Sequence, residues 1–110
     1  MDIIIQPEAP PLRHDPSGAI RVGHSRVLVE LVIRAFQYGA TPEAIAQRYS
    51  TATLADIYAV IAYYLRHQED LEAYLEEREQ RAQEVRQHIE HHQGDLADLR
   101  SRLLARQRSG

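Results

Sequence analysis

Leu71, Leu75, Arg78, Ala82, Val85, Ile89, His92, Leu96, Leu99, Leu103 and Arg106 follow one another at alternating spacings of four and three without a slip. That alternation is a heptad, and it restricts the last third of the chain to a long helix with one seam. With Leu75, Ala82, Ile89, Leu96 and Leu103 at position a, the a row is apolar throughout. The d row holds Leu71, Val85 and Leu99 but is interrupted by Arg78, His92 and Arg106. A helix with one apolar seam needs a second helix to cover it. Leu71, Leu75, Val85, Ile89, Leu96, Leu99 and Leu103 are therefore the expected contacts of a homodimer. Gly94-Asp95 leaves a second arrangement open, in which the helix stops, a new cap forms and the last helix packs elsewhere. Glycine inside a continuous helix costs about 1 kcal/mol relative to alanine.

The middle of the chain, GATPEAIAQRYSTATLADIYAVIAYYLRH over residues 39–67, reads as two helices with a tight joint. Gly39 ends whatever helix precedes it, because it takes positive φ without a Cβ clash. Thr41-Pro42-Glu43 restarts one: threonine caps, proline suits the first helical position, and glutamate suits the positive end of the dipole. Ser50-Thr51-Ala52 is the joint. Thr53-Leu54-Ala55-Asp56 resembles a capping box, with Asp56 in place of Glu or Gln. The second helix places Leu54, Ile57, Ile61, Tyr64 and Leu65 on one side. A short helix, a turn and a longer helix is the helix-turn-helix order, although core helices with no groove to enter produce the same order.

Ahead of this joint, residues 1–11, MDIIIQPEAPP, read as an extended, proline-rich arm. Asp15-Pro16-Ser17-Gly18 is a turn between two short apolar-bearing runs, Leu12–His14 and Ala19–Val22, which predicts a small hairpin. Val27–Tyr38 carries Leu28, Leu31, Val32, Ala35 and Phe36 at helical spacing. The expected organisation is an arm over 1–11, a core over 12–66 and a charged helical extension over 67–110.

The net charge of −3 is unevenly spread. Residues 1–66 have six Arg and six Asp or Glu, residues 67–98 have three Arg and ten acids, and residues 99–110 have four Arg and no acid. A nucleic-acid domain usually shows a basic patch, whereas this core is neutral. All 13 basic residues are arginine, the side chain whose planar fork matches carboxylate and phosphate. The absence of cysteine excludes a disulfide framework and thiol catalysis and fits a reducing cytoplasm. No apolar run reaches 18 residues, so no membrane span is expected. No Ser/His/Asp set and no glycine-rich phosphate loop stands out, so the chain does not read as an enzyme and no cofactor is expected. His88 and His92 lie one helical turn apart beside His91, but no third ligand at matched spacing is evident, so no metal site is assigned.

Arg21-Val22-Gly23-His24-Ser25-Arg26-Val27-Leu28-Val29, a following helix, Gly39, Thr41-Pro42-Glu43-Ala44-Ile45, Tyr49 and Thr53-Leu54-Ala55-Asp56-Ile57 together resemble a small bacterial family, domain of unknown function number four-three-three. The resemblance covers roughly residues 12–66. It is poorer in the hairpin half, where His24-Ser25-Arg26 stands for Gly-Thr-Arg and Leu28 for a proline. The resemblance implies a homeodomain-like, helix-turn-helix fold and a dimer. It also implies the role of antitoxin in a toxin–antitoxin pair whose toxin is often a PIN-like ribonuclease.

A helix from Thr53 entering the major groove would place its first residues at base edges. The candidate DNA contacts are Thr51 and Thr53, with Arg26 and Arg48 on phosphates. Arg100, Arg102, Arg106 and Arg108 are the candidate contacts to a nuclease, whose metal-holding carboxylates an arginine can fork onto. The bland alternative is an arginine-rich helix end favoured by the dipole. The chain therefore reads as mainly α, with a small N-terminal β-hairpin, a helix-turn-helix core and a long charged C-terminal helix. Its expected function is that of an antitoxin; the rival is a homodimeric structural or adaptor protein that never meets DNA.

Overall fold

Asp15 organises the first ordered element. One of its carboxylate oxygens, Oδ1, accepts hydrogen bonds from the Ser17 hydroxyl at 2.6 Å, the Ser17 amide at 2.9 Å and the Ala19 amide at 3.0 Å. The other, Oδ2, accepts from Arg21 Nε at 2.9 Å. Gly18 closes the turn with φ +90°. The result is an antiparallel pair of β1 (Leu12–His14) and β2 (Ile20–Val22), in the register Leu12↔Val22, Arg13↔Arg21 and His14↔Ile20. The turn and both strands lie where the sequence puts them. A two-stranded ribbon alone is marginal in water. This one is anchored by Ala19 and Val22, which are buried in the core.

In this computed structural model the backbone of residues 1–109 is described, with the side chains of 1–90, 99, 100, 102 and 103. The fold is mainly helical. After the hairpin come α1 (Val29–Gln37), α2 (Pro42–Arg48), α3 (Leu54–Arg66) and α4 (Gln68–Ser109). Residues 1–10 are exposed and carry neither helix nor strand. The chain divides into two compact units, Met1–Leu71 and Glu72–Gly110.

Within the first unit α3 touches α1, α2 and β2. The largest fully buried side chains are Val22, Val29, Val32, Ile33, Ile45, Ile57 and Val60. Phe36 meets Tyr64 edge-on at 6.3 Å between ring centres, and Gln37 donates to the Tyr64 hydroxyl at 2.9 Å. The helix ends follow local rules. Gly39 has φ +96°, its amide bonds the Phe36 carbonyl, and the Ala40 amide bonds that of Ala35, which is a Schellman ending for α1. Thr41 Oγ1 accepts from the Ala44 amide and Thr53 Oγ1 from the Asp56 amide, each at 3.1 Å.

Two stripes differ from the sequence expectation. On α1 the buried set is Val29, Val32, Ile33 and Ala35, whereas Leu31 is exposed. A bridge between Arg21 and Leu28 keeps Leu28 extended, so the helix starts at Val29 and its phase rotates. On α3 the buried set is Ile57, Val60, Ile61 and Tyr64, and Leu54 and Leu65 face outward. Both segments are rich enough in apolar residues to support more than one phase. Packing against neighbouring elements selects one.

The second unit is dominated by α4, whose helix runs without interruption through Gly94. Of the two arrangements left open by the sequence, the continuous helix is the one observed.

Asp15 supplies a pH signature. Above all the Ser17 hydroxyl, and then Arg21 and the Ala19 amide, hold its carboxyl down at about 2 against partial burial. The stability it contributes is complete above the unfolded carboxyl's pKa of about 4 and is lost as pH falls from there towards about 2. In urea melts at pH 7, 4 and 2.5, the wild-type chain is expected to lose stability over that window relative to Asp15→Asn. Parallel pH profiles for the two chains would sink the assignment.

Candidate nucleic-acid and partner interfaces

The loop that carries Arg26 is built by serine and by two arginines other than Arg26. Ser25 is buried; its hydroxyl donates to the Val22 carbonyl at 2.6 Å and accepts from the Val27 amide at 3.2 Å. Arg13 donates to the carbonyls of Ser25 at 2.8 Å and Gly23 at 3.2 Å. Arg21, its cross-strand neighbour, donates to the Arg26 carbonyl. These bonds fix the backbone of the loop and leave the Arg26 side chain exposed. Gly23 has φ +56°, and a Cβ there would lie 2.3 Å from Asp56 Oδ2. The loop is therefore seated directly on the first turn of α3.

Arg48 is exposed in the last turn of α2, Thr51 is exposed in the joint, and Thr53 caps α3. Chain order and the Gly23–Asp56 contact bring the Arg26 loop, the joint and the start of α3 together. Two features change the chemistry expected there. The Asp56 amide donates to the Thr53 hydroxyl, as in a capping box, while the Asp56 carboxylate lies against Gly23, beside Arg13 and His24. The outward face of α3 is apolar over Leu54, Ala55, Tyr58, Ala62 and Leu65, with Leu54, Tyr58 and Leu65 43–50% exposed, and ends in the exposed Arg66. The Tyr58 hydroxyl on this face donates to the Glu43 carboxylate. That bond holds Glu43 below its ordinary carboxyl range and is the main cause raising the Tyr58 phenol. The Leu54–Tyr58–Leu65 spacing was legible as a second helical stripe. The Tyr58–Glu43 bond, formed between two helices, has no local signal.

On α4 the seam is exposed at Val85 (58%), Ile89 (48%), Leu99 (52%) and Leu103 (52%). Leu71 and Leu75 are buried within the chain itself, so the seam open to a partner starts beyond them. Leu96, Arg106 and Arg108 lie outside the described side chains. Arg100 and Arg102 are exposed, as is His88, while His91 and His92 lie outside the described set. Among the described residues no three His, Cys, Asp or Glu side chains gather in a way that would hold a metal ion. No helix among them is long and apolar enough to cross a membrane.

Residues 16–64 match the model of the family described as a protein of unknown function, DUF433. No curated protein and no solved structure matches the chain. The matched segment runs from the hairpin turn to Tyr64 on α3 and takes in the Arg26 loop, α1, α2 and the joint; α4 lies outside it. The resemblance read from the sequence is thus shown over most of the first unit.

The seat of the loop on α3 is open to a direct test. Gly23→Ala must adopt a left-handed backbone, at about 1–2 kcal/mol, and must also push the Asp56 carboxylate away. Denaturation of four chains, the wild type, each single variant and Gly23→Ala with Asp56→Ala, should show Gly23→Ala costing less when Asp56 is alanine. Equal costs in both backgrounds would mean that the contact carries no energy.

Proposed function

We propose, on the premise that residues 16–64 form a DUF433 domain, that this chain is the antitoxin of a bacterial toxin–antitoxin pair and acts in the cytoplasm as a homodimer. Its target is a PIN-like ribonuclease, and its contact to that target is the C-terminal end of α4. The observation that carries the reading is the disposition of α4. A 42-residue helix, mostly in a unit of its own, ends in a stretch with four arginines and no acid. Arg100 and Arg102 are exposed there. A nuclease that holds its metal with clustered carboxylates presents the acceptor geometry a guanidinium fork matches, two parallel N–H donors onto two oxygens. An arginine so placed occupies the pocket and neutralises the charge that would hold the metal.

The core has the helix order of a helix-turn-helix, and operator DNA is its natural second ligand. The outward face of α3 limits how DNA would be held. Base readout needs donors and acceptors on the inserted helix, and Leu54, Ala55, Tyr58 and Ala62 offer none that is uncommitted. We therefore assign the DNA contact to phosphates, through Arg26, Arg48 and Thr51, with little discrimination between sequences. The same apolar face supports the second reading, a homodimeric adaptor that uses α3 for protein contact and never meets DNA.

Two measurements test this. Tagged full-length chain in lysate of its source organism should retain one small nuclease and inhibit it. A chain ending at Gln93 should lose both while keeping the thermal transition of the first unit; recovery of the chain alone from both would overturn the reading. In an electrophoretic shift series, a dimer offering Arg26 and Arg48 twice should show log K falling with log salt at a slope of about −3.6. The slope should be nearly equal for unrelated duplexes. No retardation at low salt, or none lost on Arg26→Ala with Arg48→Ala, would remove DNA from the proposal and favour the adaptor.

A further inference from the structure

We propose that the Asp15–Arg21 ion pair sets the position of Arg26, so that Asp15 and Arg21 are positioning residues for the phosphate contact that Arg26 makes. This rests on the DNA reading above and deepens it, by naming two side chains that govern the contact without making it.

Arg21 stands at the centre of β2 and is held on both flanks. It pairs with Arg13 of β1 on one side and forms a bridge with Leu28 on the other. Its side chain then joins two segments that the strand does not. Nε donates to Asp15 Oδ2 at 2.9 Å, behind it in the chain, and Nη1 donates to the Arg26 carbonyl, ahead of it. The planar guanidinium allows this, because its donors point in fixed and different directions. Both members of the pair are partly buried, so salt screens them less than a pair on the open surface. Asp15 therefore does more than tie the hairpin turn: it orients the fork whose other arm holds the loop.

The loop is built to present one side chain. Ser25 and Val27, on either side of Arg26, are buried. The Ser25 hydroxyl links the Val22 carbonyl to the Val27 amide, and the Val27 carbonyl accepts from the Val22 amide. Arg13 holds the Ser25 carbonyl at 2.8 Å, so the consecutive carbonyls of Ser25 and Arg26 are each bonded to a guanidinium. The Arg26 side chain itself is exposed and, among the described residues, bonded to nothing. An arginine on a fixed backbone loses less freedom on meeting a phosphate than one on a loose loop, and the difference appears as affinity. Arg21 is a poor phosphate ligand by comparison, since Asp15 matches its charge and its Nε and Nη1 are both engaged.

Charge alone predicts the opposite effect of Asp15. It is an acid one guanidinium away from the Arg26 loop, and removing it should favour a polyanion. Positioning predicts that removing it weakens binding.

The test compares duplex binding at low salt for the wild-type chain, Asp15→Asn and Arg21→Lys, each with and without Arg26→Ala, at a temperature where melts show every chain folded. Asp15→Asn removes a negative charge, whereas Arg21→Lys leaves the net charge as it was and lacks the fork that reaches both partners. Each should weaken binding about fivefold, and neither should weaken it where Arg26 is alanine. Equal or tighter binding by Asp15→Asn, or the same loss with and without Arg26, would overturn the proposal. Amide hydrogen exchange on the same chains reads the link without DNA. The Val22 and Val27 amides should exchange about tenfold faster in both variants, beyond any change at Val60 of α3, which reports opening of the whole unit. Unchanged exchange at Val22 and Val27 would overturn the proposal whatever the duplex result. Faster exchange in the variants, beside a wild-type chain that binds no duplex, would overturn the DNA reading and leave the link between Asp15 and the Arg26 loop standing.

Discussion

The packing of α3 across α1, α2 and β2 is what the first unit depends on. Ile57, Val60, Ile61 and Tyr64 leave water on one side of this helix, and Val32 and Ile33 of α1, Ile45 of α2 and Val22 of β2 are buried with them. A unit of about 70 residues buries a smaller fraction of its surface than a larger domain does, about 60%, and has little stability in reserve. Nearly every connection is accordingly pinned by a local hydrogen bond. Asp15 ties the hairpin turn, Ser25 and Arg13 tie the Arg26 loop, Gly39 ends α1, and Thr41 and Thr53 start the next two helices. These bonds cost little chain entropy because their partners are close in sequence, and they position the core face of each helix for packing.

Once one face of α3 is spent on the core, the chemistry of the other is set. It presents Leu54, Ala55, Tyr58, Ala62 and Leu65, with Arg66 at its C-terminal end. That surface suits contact with protein more than with bases, and it moves any DNA contact to the neighbouring exposed arginines. Asp56 reinforces the point: its carboxylate sits between the Arg26 loop and the helix start and opposes close approach of a phosphate at that spot.

The two units differ in how they are stabilised. The first is held by burial. α4 is held by its own backbone ladder and by short-range side-chain pairs such as Arg81–Glu77. It tolerates Gly94, at a cost of about 1 kcal/mol, within an unbroken run of helix. Beyond Leu75 its seam is half exposed at Val85, Ile89, Leu99 and Leu103, and its acids and arginines are segregated along its length.

Turn and cap chemistry could be read directly, because it acts between neighbours in the chain. Asp15-Pro16-Ser17-Gly18 specifies its turn, Thr41-Pro42 and Thr53 specify helix starts, and Gly39 specifies an end, each through groups within a few residues. The heptad of α4 was legible for the same reason, since a helix repeats its own geometry whatever surrounds it. Helix phase was not. Val27–Ile33 and Leu54–Leu65 are apolar enough for two stripes each, and only contact with β2 and the neighbouring helices turned Val29 and Val60 inward and Leu31, Leu54 and Leu65 outward. The same holds for Leu71 and Leu75, which belong to the heptad in sequence yet are buried within the chain. Tyr58–Glu43 and Gly23–Asp56 likewise join residues far apart in sequence. What the sequence determined by itself was the order and type of the elements and the ends that a cap or turn residue marks, because those are local free energies. What only the tertiary structure decided was which apolar face each helix keeps for the core, because burial is shared among elements and no one of them can specify it alone.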